Sequence, residues 1–237
     1  MSISPTQAPL TGRLLLYWLI LPAGLLTWII VNPPHQIDMM VSHWFFQDHR
    51  WLAPHQGVFE TVTHEGFKKI PIVISLFYLG LAVVAWWKKS HGAPWPLRFR
   101  RCVFILVGLL LSVLTVVWLK RTTGVACPWS LVEFDGTQSL REPVLGWEKL
   151  SGSCWPSGHA GVGFSLFILY FAWRDISPRL ARFWFCFALV LGVLCSVAQI
   201  VKGAHFLSHT VVTMLIDWLI CALLYVLWYR HWVRDCT

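Results

Sequence analysis

Six apolar runs, each near the length of a bilayer crossing, constrain this chain more than any other feature of its sequence. They are Leu14–Val31, Ile70–Trp87, Cys102–Leu119, Ala160–Trp173, Phe183–Val201 and Thr210–Tyr229. A helix needs roughly 20 apolar residues to cross a hydrocarbon core of about 30 Å, so each run reads as a transmembrane span. Water is absent from that layer, and the helix is the element that lets such a run pair its own backbone groups. The fourth run is short at 14 residues. It reaches spanning length if its helix begins near Pro156, since proline suits a first turn.

The expected fold is all-α: a polytopic membrane protein of six transmembrane helices, residues 1–237 forming a single membrane-embedded domain. Composition agrees, because 57% hydrophobic against 13% charged residues leaves too little polar surface to cover a soluble core. No internal repeat, low-complexity tract or linker divides the chain. The first run follows a single charge, Arg13, and lacks a small-residue cleavage site, so it reads as an anchor and not a cleaved signal. The net charge of +8 lies in short segments between the runs. That is the pattern of loops facing anionic headgroups, so membrane lipids are the expected partners and nucleic acid is not. No obligate protein partner is evident.

Lysine and arginine set the orientation. With a cytoplasmic N-terminus, the inside segments carry 11 of them in 44 residues and the outside segments 8 in 86. Both termini are therefore expected in the cytoplasm. The long connection Asn32–Lys69 then lies outside, and its Met39-Met40-Val41 and Trp44-Phe45-Phe46 suit a helix lying on the bilayer.

This topology gathers three polar clusters at one membrane face. Lys120 and Arg121 close span 3, Pro156-Ser157-Gly158-His159 opens span 4, and Lys202 to His209 turns from span 5 into span 6. Ser157 and the Gly158 amide at a helix N-terminus attract anions, and glycine lets an anion approach the backbone. Lys120, Arg121 and Lys202 supply positive charge. His159 and His205 are two imidazoles beside that anion site, suited to nucleophilic attack and to protonation of a leaving group. The pattern describes phosphoryl transfer from an anionic, membrane-borne substrate.

In this order and topology the clusters resemble the type 2 phosphatidic acid phosphatase superfamily, whose fold is shared with vanadium haloperoxidases. Lys120 with Pro128 matches its first element, Pro156 to His159 its second, and Gly203 with His205 its third. The resemblance implies that His205 attacks phosphorus to form a phosphohistidine and that His159 protonates the leaving oxygen. It implies that Lys120, Ser157 and the Gly158 amide hold the phosphoryl oxygens, with no metal and no cofactor. The chain departs from the pattern in three places. Cys127 stands for an arginine, Ala198-Gln199 for Ser-Arg, and His209 for the aspartate that orients the nucleophile. Arg121 and Lys202 are expected to restore charge, and His209 to accept the Nδ1 proton of His205. The variant is similar to bacterial inner-membrane members described as lipid A 1-phosphatase-like. It implies a hydrolase of lipid phosphates with a periplasmic active site.

Plainer readings stand beside these. Cys102, Cys186, Cys195 and Cys221 lie in spans and are expected to be small buried apolar residues. Cys127 and Cys154 share an outside loop. They either pair in an oxidising compartment or stand as two free thiols, and pairing is the expectation. Three histidines also make a zinc recipe, which the surrounding cations disfavour, and haem ligation suits histidines at helix ends still less. Asp217, two turns into span 6, is expected to be protonated or bonded between helices ahead of any functional role. Ser157 with His159 lacks the spacing and the Gly-x-Ser-x-Gly turn of a hydrolase nucleophile. A lipid-to-lipid phosphotransferase and a non-catalytic lipid-binding protein with a degenerate site are the rival functions.

Overall fold

Five helices in the computed structural model are long and apolar enough to cross a membrane. The structure describes residues 12–53, 61–90, 97–140 and 152–229. His55, Trp147, Cys236 and the segments that end the chain lie outside the described residues. Helix α1 is Gly12–Val31. A short helix α2, His35–Phe45, leads into a two-stranded hairpin of β1, Phe46–Gln47, and β2, Arg50–Trp51. Helix α3, Phe67–Ser90, follows a π-helical turn at Thr61–Gly66. Helix α4 is Leu97–Thr123, α5 Gly158–Phe164, α6 Phe167–Trp173, α7 Pro178–Ile200 and α8 Leu207–Leu224.

The spans are helical because their apolar residues leave the backbone no partner but itself. Their outer faces show the same logic, with Trp28, Phe77, Trp87, Leu110 and Val190 all exposed. A band of large apolar side chains of this extent is a surface made for lipid. Cys186 is part of it: the thiol is exposed on α7 and not buried as the sequence suggests. A small thiol packs as well against lipid as against protein.

The fourth run behaves differently. Its helix starts at Gly158, with Ser157 as N-cap, and Pro156 stays outside it in a cis Trp155–Pro156 bond. The apolar stretch Gly158–Trp173 is therefore shorter than a full crossing. No residue along it is exposed. Surrounded by protein, its length need not match the bilayer, because backbone at membrane depth is tolerated where neighbouring helices cover it. Closeness to α7 comes from paired glycines. A Cβ on Gly163 would fall 2.1 Å from the Gly192 nitrogen, and one on Gly192 would strike the Phe164 ring. Small residues at such contacts let helices pack by dispersion where lipid removes the hydrophobic drive.

Trp18, Phe104, Trp218 and Tyr225 pack around this central stretch, against its Phe167 and Phe171. At the end of the bundle away from Lys120, Arg101 stacks on Trp173 at 4.1 Å and Arg174 on Trp18 at 4.2 Å. The Tyr225 hydroxyl there donates to Asp175 at 2.7 Å. At the Lys120 end, α2 and the hairpin form a cap. Asp48 and His49 both have positive φ, as a two-residue hairpin turn requires. The rings of Phe46, Trp51 and Phe134 pack together beside Phe206.

Candidate active site

Each polar cluster is delivered by a helix end. Helix α4 carries Lys120 in its last turn. Helix α5 begins at Gly158, and the Ser157 hydroxyl accepts from the Ala160 amide at 3.4 Å. Helix α7 stops at Ile200, and the chain reverses through Gly203 at φ 68°. Only glycine fits there, because a Cβ would lie 2.2 Å from the Trp51 ring. His205 follows that turn, and His209 lies in the first turn of α8.

Lys120 lies against the start of α5, with its Nζ 3.6 Å from where a Gly158 Cβ would sit. The His205 and His209 rings meet edge to face at 6.0 Å between centroids. Lys120, His159 and His209 all lie close enough to His205 to act on its charge. Four residues that the sequence spreads over 90 positions thus share one site. Burial, foremost, pushes the His205 imidazole well below its ordinary value, and His209, Lys120 and His159 push it the same way. The ring is neutral at physiological pH.

His205 Nδ1 lies 2.7 Å from the Cys154 carbonyl oxygen. A carbonyl only accepts, so Nδ1 carries the proton and Nε2 keeps its lone pair. The orienting acceptor is therefore a backbone carbonyl and not His209, the residue that stands for the family's aspartate. His209 is buried, packs on the Phe206 ring and leaves its Nδ1 without a hydrogen-bond partner among the described residues. Cys154 is itself disulfide-bonded to Cys127, with Cα atoms 5.2 Å apart. The bond ties the segment after α4 to the one that orients His205.

Ser157 is fully buried and works as a cap and a staple. Its amide donates to Thr213 Oγ1 at 2.8 Å, and that hydroxyl reaches the His209 carbonyl at 2.8 Å. Arg121 and Lys202, expected to supply charge, stand apart from the cavity at Lys120. Arg121 is exposed, Lys202 is buried, and neither lines the cavity at Lys120. Arg121 is one residue along the helix from Lys120, a turn of about 100° that points it elsewhere. Gln199, in place of the family's arginine, is buried and its amide nitrogen has no partner among the described residues.

Sequence reasoning passed over two further groups. Lys68, at the start of α3, lines the same cavity as Lys120 and acts on its charge. Asp38 of α2 accepts from the Ser208 amide at 2.8 Å and from its hydroxyl at 2.5 Å. It supplies the N-cap that Phe206 cannot give α8. Burial pushes the Asp38 carboxyl up from its ordinary 3.8, against the Ser208 bonds and nearby His35 that lower it.

A cavity of about 800 Å³ runs from this site between α3, α4, α5 and α8. Lys68, Lys120, Gly158 and His159 stand at one end. Leu76, Leu79, Leu106, Leu109 and Val113 form the wall beyond. Such a volume lies within the range of sites that hold a small molecule. Its charged groups gather at one end, and an apolar wall extends beyond them.

No curated protein and no solved structure matches the chain. The PAP2 superfamily pattern matches residues 101–234, more than half of the sequence, and includes Lys120, His159 and His205. The chain belongs to the PAP2 superfamily.

Proposed function

We propose that this protein is a membrane phosphatase that hydrolyses a lipid phosphate or diphosphate through a phosphohistidine at His205. Membership of the PAP2 superfamily supports phosphatase-type chemistry. The observation that carries the lipid reading is the cavity: Lys68, Lys120 and the His159 imidazole at one end, and an apolar chamber beyond, about 800 Å³ in all. A headgroup at Lys120 leaves its tail among the helices.

The chemistry follows from the tautomer. His205 Nε2 attacks phosphorus, and the bond from phosphorus to the lipid oxygen breaks. His159 gives that oxygen its proton. Water then attacks the phosphohistidine, His159 takes a proton from it, and phosphate leaves with His205 restored. Lys120 and the Gly158 amide face the charge that builds on the phosphoryl oxygens. Lys68 adds to the field at the cavity mouth.

In this reading Gly158–Trp173 is a sixth crossing, both termini are cytoplasmic, and the site opens on the periplasmic leaflet of a bacterial inner membrane. Lipid A 1-phosphate, undecaprenyl diphosphate and phosphatidylglycerol phosphate are the candidate substrates. Discharge of the phosphohistidine to a second lipid instead of water would make the same site a phosphotransferase.

The test is phosphate release from these lipids by purified protein in detergent. The expected result is release from at least one, lost by at least about 10³-fold in His205→Ala. Release that survives His205→Ala would overturn the mechanism. Failure to release phosphate from any lipid tested would favour a binding protein with a degenerate site.

A further inference from the structure

We propose that Asp217 and Ser112 form a polar subsite in the wall of the tail cavity, which binds a hydroxyl or amide N–H carried on the substrate's lipid chain. The inference rests on the cavity being the tail site and adds a selectivity that the headgroup chemistry does not contain.

Asp217 lies in α8 and Ser112 in α4, and both line the cavity. Their exposures are 0% and 1%. Both carboxyl oxygens of Asp217 and the Ser112 hydroxyl lack a hydrogen-bond partner among the described residues. The Ser112 hydroxyl lies within reach of the Asp217 carboxyl, a long contact that falls short of full hydrogen-bond geometry. Gly161 keeps the space in front of the carboxyl open, since a Cβ there would fall 3.4 Å from Asp217 Oδ2.

A polar pair in an apolar wall needs a reason. Buried polar groups are as a rule paired, because removing them from water without a partner is costly. Sequence suggests a carboxyl that is protonated or bonded between helices, and among the described residues the one interhelical contact Asp217 makes of that kind is the long one to Ser112. Ionisable groups at membrane depth that face a cavity mark ligand pathways. A carboxyl oxygen accepts, so its complement is a donor on the ligand, and the Ser112 hydroxyl can accept or donate beside it. Lys120 and Ser112 are eight residues apart on α4, which sets the subsite about 12 Å along the helix from the phosphate cradle. A chain that bears a hydroxyl or an amide at that depth satisfies the pair. A pure hydrocarbon or prenyl chain leaves it unsatisfied.

The experiment measures binding by tryptophan fluorescence to full-length His205→Ala protein in detergent, which prevents turnover. Three probes are compared: an unsubstituted long-chain alkyl phosphate, its twin with a hydroxyl about 12 Å from phosphorus, and its twin with a terminal hydroxyl. The depth-matched hydroxyl is expected to tighten binding about tenfold, the worth of one hydrogen bond to a charged or strongly polar acceptor. The terminal hydroxyl should not. The ratio between the first two probes should fall to one in Asp217→Leu, shrink in Ser112→Ala and persist in part in Asp217→Asn, whose carbonyl still accepts. Should Asp217→Leu not fold, the Ser112→Ala and Asp217→Asn ratios carry the test. A ratio of one in the parent protein, or a ratio untouched by all three substitutions, would overturn the subsite. The two readings fail separately. Phosphate release by the unsubstituted enzyme together with a ratio of one sinks the subsite alone. A tenfold ratio with no release from any lipid sinks the phosphatase reading and leaves the subsite.

Discussion

Asp38 stands 170 residues from the amide it caps, and it shows what a spacing argument at the residue scale can and cannot reach. Lys120, His159 and His205 are legible because each sits at a fixed place relative to a span end. Asp38 and the Cys154 carbonyl are not. One reaches α8 from a separate helix, and the other is a backbone atom that any residue would offer. Both act beside His205, so both have measurable consequences. Asp38→Ala removes the N-cap of α8, which should lower stability by about 1–2 kcal/mol. Thermal unfolding in detergent checks this, and Asp38→Asn, which keeps a capping oxygen, should lose much less. His205 predicts a pH dependence. Its folded-state value is held below 6.5, so unfolding takes up a proton. That contribution to stability is complete above 6.5 and is lost as pH falls below it. Denaturation midpoints measured from about pH 7 to pH 5 should therefore decline, and should decline less in His205→Gln.

At the scale of elements, the short fourth run was the one place where the count of residues signalled something unusual. The sequence suggested lengthening it to Pro156, whereas the helix begins at Gly158 and has no exposed residue as far as Trp173. A hydropathy pattern cannot distinguish a helix buried in protein from one bathed in lipid, since both are apolar all round. The three departures from the family pattern read differently as well once placed on elements. His209 was expected to orient the nucleophile, but Cys127 is the departure that bears on it. Its disulfide holds Cys154, whose carbonyl takes the Nδ1 proton of His205. Reduction or Cys127→Ser should release a 27-residue loop and cost about 3–4 kcal/mol by loop closure. The same change frees the carbonyl to move, so phosphate release should lose kcat more than KM. A fall in stability with kcat unchanged would show that the disulfide secures the loop without positioning His205.

The whole molecule joins a charged site to a chamber, and the chamber was the feature least legible in the sequence. The runs announced a membrane protein, and the polar residues at their ends announced a site. A cavity is an absence of atoms between helices, and it depends on how α3 stands relative to α4 and α5, which no local pattern encodes. Its existence makes a prediction that neither a residue nor an element makes alone. Val113 lines the chamber on α4 and is 55% exposed, so a larger side chain has room there without displacing the core. Val113→Trp should fill part of the chamber while leaving Lys120, His159 and His205 in place. Binding energy drawn from the tail would then be lost, and binding energy drawn from the phosphate would not. Hydrolysis of a long-chain lipid phosphate should fall at least tenfold in kcat/KM, about 1.4 kcal/mol of lost tail contact. Hydrolysis of a short-chain, water-soluble phosphate ester should stay within about twofold of the parent. An equal loss on both substrates would mean that the substitution disturbs the catalytic end. No loss on either would mean that the tail lies outside the chamber, against the lipid-facing surface of the bundle.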